Sequence, residues 1–231
     1  MKKANFHQIK RFKEQYCHSA SSRKRISVDF TVKVEAFEQL LPEKKVTSYA
    51  TGGRDIKNAY IAFKVEDKAN ELIYYPFFSE SLGRELVKMW GLELPRKMTI
   101  FVTEGENGGS GGKSAGLPRK EDNKKMLQLI LYARYMMILY VSEPEPMYGT
   151  FKEIYDKLYQ NPDASVDPKD IKKVNSAIFS YLNKKHQKFS NLQDFIKYLQ
   201  CNYPESKLRD YDFDILREKL KALDLKEEIV F

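Results

Sequence analysis

An α+β fold, with a mixed helix–sheet domain followed by an all-helical bundle domain, follows from three patterns in these 231 residues. Apolar and polar residues alternate before residue 104, and apolar residues recur at helical spacing after residue 122. A Gly/Ser-rich stretch separates the two halves. The domains are read as residues 1–104, a linker at 105–121, and residues 122–231.

Phe6, Ile9, Phe12 and Tyr16 fall on one face of a first helix, with basic residues on the other. Ile26, Val28, Phe30, Val32 and Val34 alternate with polar residues, which predicts a half-buried strand. The stretch between them, Ser21-Ser22-Arg23-Lys24-Arg25, reads as a flexible connector. Tyr60 to Val65 and Leu72 to Phe78 predict two strands joined by a turn at Glu66-Asp67-Lys68-Ala69-Asn70. Ser79 is placed to cap a helix that runs to Trp90 and stops at Gly91. Met98 to Val102 reads as a closing strand.

Six of the 11 glycines lie between Gly105 and Gly116. Gly108-Gly109-Ser110-Gly111-Gly112 offers no side chain to pack and behaves as flexible coil. It has the composition of an engineered linker, standing for a shortened loop or a join between two polypeptides. Gly112-Lys113-Ser114 imitates the end of a phosphate-binding loop, but Asn107 stands where that motif needs its first glycine.

Beyond the linker, Lys124 to Val141 is apolar almost all round and predicts a central buried helix. Thr150 with Glu153, and Ser190 with Gln193, have the spacing of capping boxes. Asp167 precedes Pro168, a cap followed by a proline in the first helical position. A last helix is read from Asp212 or Asp214 through Leu223.

Composition bounds the function. Hydrophobic residues make up 42% of the chain and charged residues 31%, enough to bury a core. Two cysteines cannot build a disulfide scaffold, and the longest apolar run is too polar to span a bilayer. The expectation is an intracellular protein, cytoplasmic or nuclear, with no membrane partner.

Charge distribution is the strongest functional signal. The net charge is +8, and the first 25 residues hold eight Lys and Arg against Glu14, which leaves the remainder near +1. Lys10, Arg11, Lys13, Arg23, Lys24 and Arg25 are therefore candidate phosphate contacts. Lys172 and Lys173 extend the candidate set into the helical half. A helix-turn-helix-like unit there would turn Lys172, Asn175 and Ser176 to a groove, but the connections are longer than that motif's tight turn and a plain helical bundle is the preferred reading. The run Tyr74-Tyr75-Pro76-Phe77-Phe78 is read as core, with Tyr74 or Tyr75 left as the candidate stacking platform for a base.

The expected function is non-enzymatic nucleic-acid binding, DNA in preference to RNA, through a basic N-terminal arm. A protein–protein scaffold subunit of a larger assembly is the alternative. A third reading is a metal-dependent nuclease, because Asp55 followed by Glu66-Asp67-Lys68 loosely resembles the acidic and Glu-x-Lys signature of that chemistry. That signature belongs inside a strand, whereas Glu66 reads as part of a turn. No catalytic residue, metal ligand or cofactor is assigned: the three histidines and two cysteines show no metal-ligand spacing, and no nucleophile motif is present.

Overall fold

The structure, a computed structural model, describes residues 1–42, 44–50, 53–102, 119–139, 146–184, 188–223 and 228–231. The Gly/Ser run and the Gly112-Lys113-Ser114 decoy lie outside these residues. The fold is α+β, with a sheet and helices first and helices alone after. The chain divides into two compact units, Met1–Thr99 with Val141–Pro146, and Ile100–Tyr140 with Met147–Phe231.

The first unit is organised around one strand. β5 (Ala59–Asp67) pairs antiparallel with β2 (Thr31–Gln39) on one side. On its other side it pairs with β6 (Leu72–Tyr74) and then with β7 (Phe77–Ser79). Pro76, which has no N–H for a ladder, separates these two short strands. β1 (Lys2–Lys3) adds parallel to β6, and β3 (Val46–Thr47) pairs with β4 (Asp55–Ile56) as a separate ribbon. A bulge between Val34 and Ala36 shifts the β2 register. Before it, Lys33 and Glu35 share an outer face with Lys64 and Glu66; beyond it, buried Glu38 accepts a hydrogen bond from the Tyr60 hydroxyl.

Helices α1 (Phe6–Tyr16), α2 (Ala20–Asp29) and α3 (Glu80–Met89) complete this unit. Phe12 of α1 stacks on Tyr74 at 4.4 Å between ring centres, and Phe63 of β5 meets Trp90 at the end of α3 edge to face at 4.9 Å. Gly83 brings the α3 backbone against Ile61, so close that a Cβ there would sit 2.7 Å from Ile61 Cβ.

Three segments depart from the sequence expectation. Ser21 to Arg25 is not a connector and Ile26 to Asp29 is not strand, because both belong to α2. The cause is a capping box: the Ser22 N–H donates to Ser19 Oγ at 3.1 Å, and the Ser19 N–H to Ser22 Oγ at 2.9 Å. Ser22, Ile26 and Phe30 then recur at four-residue spacing, which satisfies a helix as well as alternation satisfies a strand. Met98 to Val102 is not a strand either. Met98 bridges to Glu38 in the first unit, while Phe101 belongs to the second and bridges to Leu208 there. Finally, Glu66 lies within β5 rather than in the turn after it.

The second unit is a bundle around α4 (Glu121–Ile138), against which α5 (Gly149–Gln160), α6 (Pro168–Leu182), α7 (Leu192–Asn202) and α8 (Asp214–Lys221) all pack. Its buried run from Met126 to Met136 is therefore covered by helices of its own unit. Buried Asn123 ties the end of α5 to α4: its side-chain amide donates to Leu158 O at 3.3 Å, Asn161 O at 3.0 Å and Ala164 O at 3.2 Å. Asp122 Oδ2 accepts from Ser165 Oγ at 2.7 Å, from Val166 N–H at 2.9 Å and from the Lys219 ammonium of α8. Two caps differ from expectation. Tyr148, not Thr150, precedes α5 and offers no side-chain cap, and Asn191 rather than Ser190 caps α7. Asp167 and Pro168 open α6 as expected.

Candidate nucleic-acid interface

The basic N-terminal segment is a helical hairpin fixed to the sheet. Asn5 and Gln8 cap α1 reciprocally, Ser19 and Ser22 cap α2, and only Cys17, His18 and Ser19 separate the helices. Phe12, Tyr16, Phe30 and Tyr74 form one aromatic cluster beneath them. Burial lifts the Tyr16 phenol above its ordinary range, with the Asp29 carboxylate adding to the rise. Burial also pushes the Cys17 thiol up to about 12, so it stays protonated and inert.

The six candidate side chains of this hairpin fall into two sets. Lys13 lies 3.9 Å above the centre of the Tyr49 ring. Arg23 donates to the Cys17 carbonyl at 3.0 Å, and Arg25 pairs with Asp29 at 3.1 Å while reaching over the Tyr16 ring. Lys10, Arg11 and Lys24 are exposed and form no ion pair among the described residues. The first set is engaged by neighbouring groups of the fold, and the second is displayed by the hairpin. Net positive charge alone could not make this distinction; the Ser19–Ser22 spacing signals the second helix of the hairpin but not which cations it displays.

In the second unit, an open groove of about 510 Å³ runs along α6. It is lined by Lys169, Lys172, Lys173, Ser176 and Ser180, with Thr150 of α5 at its edge. The expected pair Lys172 and Ser176 is thus brought together. Asn175 is not with them: it is buried, donates to Glu228 O at 2.9 Å and accepts from Val230 N–H at 3.0 Å. Lys173 lies 3.4 Å from Asp170, which also holds Lys157 at 2.7 Å. Burial opposes ionisation of Asp170, but the hydrogen bond from Lys157 and the two lysine charges hold its carboxyl below the usual range.

The remaining candidates serve the fold. Tyr74 is buried under Phe12, which leaves Tyr75 as the half-exposed tyrosine of the pair. Lys64 binds Glu66 at 2.5 Å and thereby holds that carboxyl below its usual range. Asp67 folds the following turn by accepting from the Asn70 N–H at 3.1 Å and its side-chain amide at 2.8 Å. Asp55 lies on the separate β3–β4 ribbon. Among the described residues, no group of three or more His, Cys, Asp or Glu side chains is placed to hold a metal ion. Nor is any described helix long and apolar enough to cross a membrane.

No protein-family model matches the chain, and no curated protein or solved structure matches it.

Proposed function

We propose that this protein binds nucleic acid, DNA in preference to RNA, by contacting phosphates through the α1–α2 hairpin. The observation that carries this reading is the display of Lys10, Arg11 and Lys24, exposed and without ion pairs among the described residues, on helices anchored by reciprocal caps and aromatic packing. Charges fixed to a rigid surface lose little conformational freedom on binding. They also dominate the local field, because the first 25 residues carry +7 of the total +8. Lys13, Arg23 and Arg25 add to that field from contacts with neighbouring groups of the fold. Lys172 and Lys173 supply a second basic surface in the helical unit.

The test is the triple variant Lys10→Gln, Arg11→Gln, Lys24→Gln, titrated against a labelled DNA duplex over a range of salt concentrations. Removing one phosphate-binding cation reduces the slope of log affinity against log salt by about 0.9, so the slope should flatten by almost three. The fold should persist, since exposed single substitutions cost within about 0.5 kcal/mol. Unchanged affinity and slope would remove the hairpin from the interface. Binding of a protein partner, insensitive to salt and to these substitutions, would favour the scaffold reading instead.

A further inference from the structure

We propose that the outward face of α2 reads base edges in the major groove of duplex DNA, an inference that rests on the nucleic-acid reading above and goes beyond it. Ser22 and Ile26 turn into the protein. The opposite side presents Ser21, Lys24, Arg25 and Val28, all exposed and spaced i, i+3, i+4, i+7, which places them on one face. Val28 is 77% exposed, more than any other large apolar side chain among the described residues. A β-branched residue at a solvated helix position lowers helix propensity and packs against nothing. It suits a surface that is covered when a partner arrives.

The flanking chemistry selects that partner. Lys24 has no ion pair among the described residues. Arg25 holds Asp29 at 3.1 Å, and its side chain is 61% exposed, so the pair is of the weak kind that yields to a better acceptor. An apolar centre bordered by two cations and a hydroxyl fits a target that sets methyl groups among acceptors and negative charge. The DNA major groove is such a target, with the thymine methyl for Val28, guanine O6 and N7 for Arg25, and either base edge for Ser21. From Ser21 to Val28 the helix advances about 10 Å, the span of about three base pairs, and the groove is about 12 Å wide. The deep, narrow major groove of A-form RNA does not admit a helix face, which commits the proposal to DNA. The three-residue link to α1 resembles the compact arrangement in which a second helix enters the groove and the first lies over the backbone. Lys10 and Arg11 of α1, with Lys24 at the edge of the α2 face, are then the phosphate contacts.

The experiment is selection from a pool of randomised DNA duplexes by the full chain, followed by titration of the enriched sequence. The variants are Val28→Ser and Ser21→Ala, both at exposed positions and neither part of the phosphate-contacting set. The pool should converge on a motif of about three to four base pairs. Val28→Ser should weaken binding to that motif by about fivefold to tenfold, while affinity for an unrelated duplex and the salt slope stay within about twofold. Salt-dependent binding to every duplex without an enriched motif would overturn base reading and leave phosphate binding standing. An enriched motif indifferent to both variants would place the reader elsewhere and overturn the role of α2. Preference for RNA would overturn it too, and absence of any binding at low salt would sink both readings.

Discussion

Replacing Asp122 by Asn converts one buried ion cluster into a measurable pH dependence. Asp122 lies in the first turn of α4, 5% exposed, and receives Ser165 Oγ, Val166 N–H and the Lys219 ammonium on one carboxylate oxygen. Burial by itself raises the pKa of such a group. Here the hydrogen bonds from Lys219, Ser165 and the Val166 N–H outweigh burial and hold it at about 2, against an ordinary 3.8. That gap is worth about 2 kcal/mol of stability. Its sign follows from proton uptake: between about pH 4 and 2 the unfolded chain binds a proton that the folded chain refuses. The contribution is therefore complete above about pH 4 and disappears as pH falls through about 2. Asn keeps the shape and the Val166 hydrogen bond but removes the charge. Urea unfolding followed by helical circular dichroism should show Asp122→Asn less stable than wild type by about 2 kcal/mol at pH 7. The difference should shrink to about 0.5 kcal/mol near pH 2, where wild-type Asp122 is half protonated, and vanish below it. A deficit of the same size at pH 7 and pH 2.5 would refute the electrostatic account and leave only a packing role.

Gly83→Ala should destabilise the first unit by about 1–3 kcal/mol, although alanine favours helix by about 1 kcal/mol, because the new Cβ would meet Ile61 Cβ at 2.7 Å. Trp90 fluorescence during urea unfolding measures this, and a stabilised variant would contradict the close approach of α3 to β5. Asn123→Ala should lower the stability of the second unit by about 1–3 kcal/mol by leaving the Asn161 and Ala164 carbonyls without this donor, while Leu158 O keeps Arg119 at 2.7 Å. Circular dichroism checks it, and a deficit below about 0.5 kcal/mol would show that the carbonyls find other partners. A thiol reagent at pH 8 should modify exposed Cys201 at once and spare Cys17, which is fully buried and has its thiol pushed up to about 12. Two equivalents consumed without denaturant would show that α1 opens readily.

The helical half was readable because its helices bury stripes of Ile, Val, Leu and Phe at helical spacing, and because Asp167-Pro168 marks one start without ambiguity. The segment from Ser19 to Asp29 was not, because Ile26 and Phe30 satisfy both a two-residue and a four-residue period, and Val28 completes the two-residue one. Only the Ser19–Ser22 box decides for a helix, and serine pairs are common enough in loops to pass unnoticed. The candidate interface was legible as charge and illegible as geometry. Nothing in the sequence distinguishes Lys13, which sits over the Tyr49 ring, from Lys10, which faces solvent. That difference is tertiary, as is the inward turn of Asn175 to meet the backbone of Glu228 and Val230. Glu66 misled for a related reason: Asp67 makes the turn, and a strand can carry its charges right up to one.

The central position of β5 has a consequence for the growing polypeptide. β2 ends at Gln39, but its ladder partner spans Ala59–Asp67, and β7, the last strand of the sheet, is complete only at Ser79. At about 5–20 residues per second, the interval from residue 39 to residue 67, where the partner of β2 is complete, lasts about one to six seconds. Throughout it, β2 is a finished strand with nothing to pair with, the state in which nascent chains adhere to one another. The charges alternating along its first half, Lys33 and Glu35, then act as gatekeepers, keeping one side of the waiting strand hydrated until its partner is made. The bare stretch is Ala36-Phe37, just beyond the bulge, and that dipeptide is where premature association on the ribosome should begin.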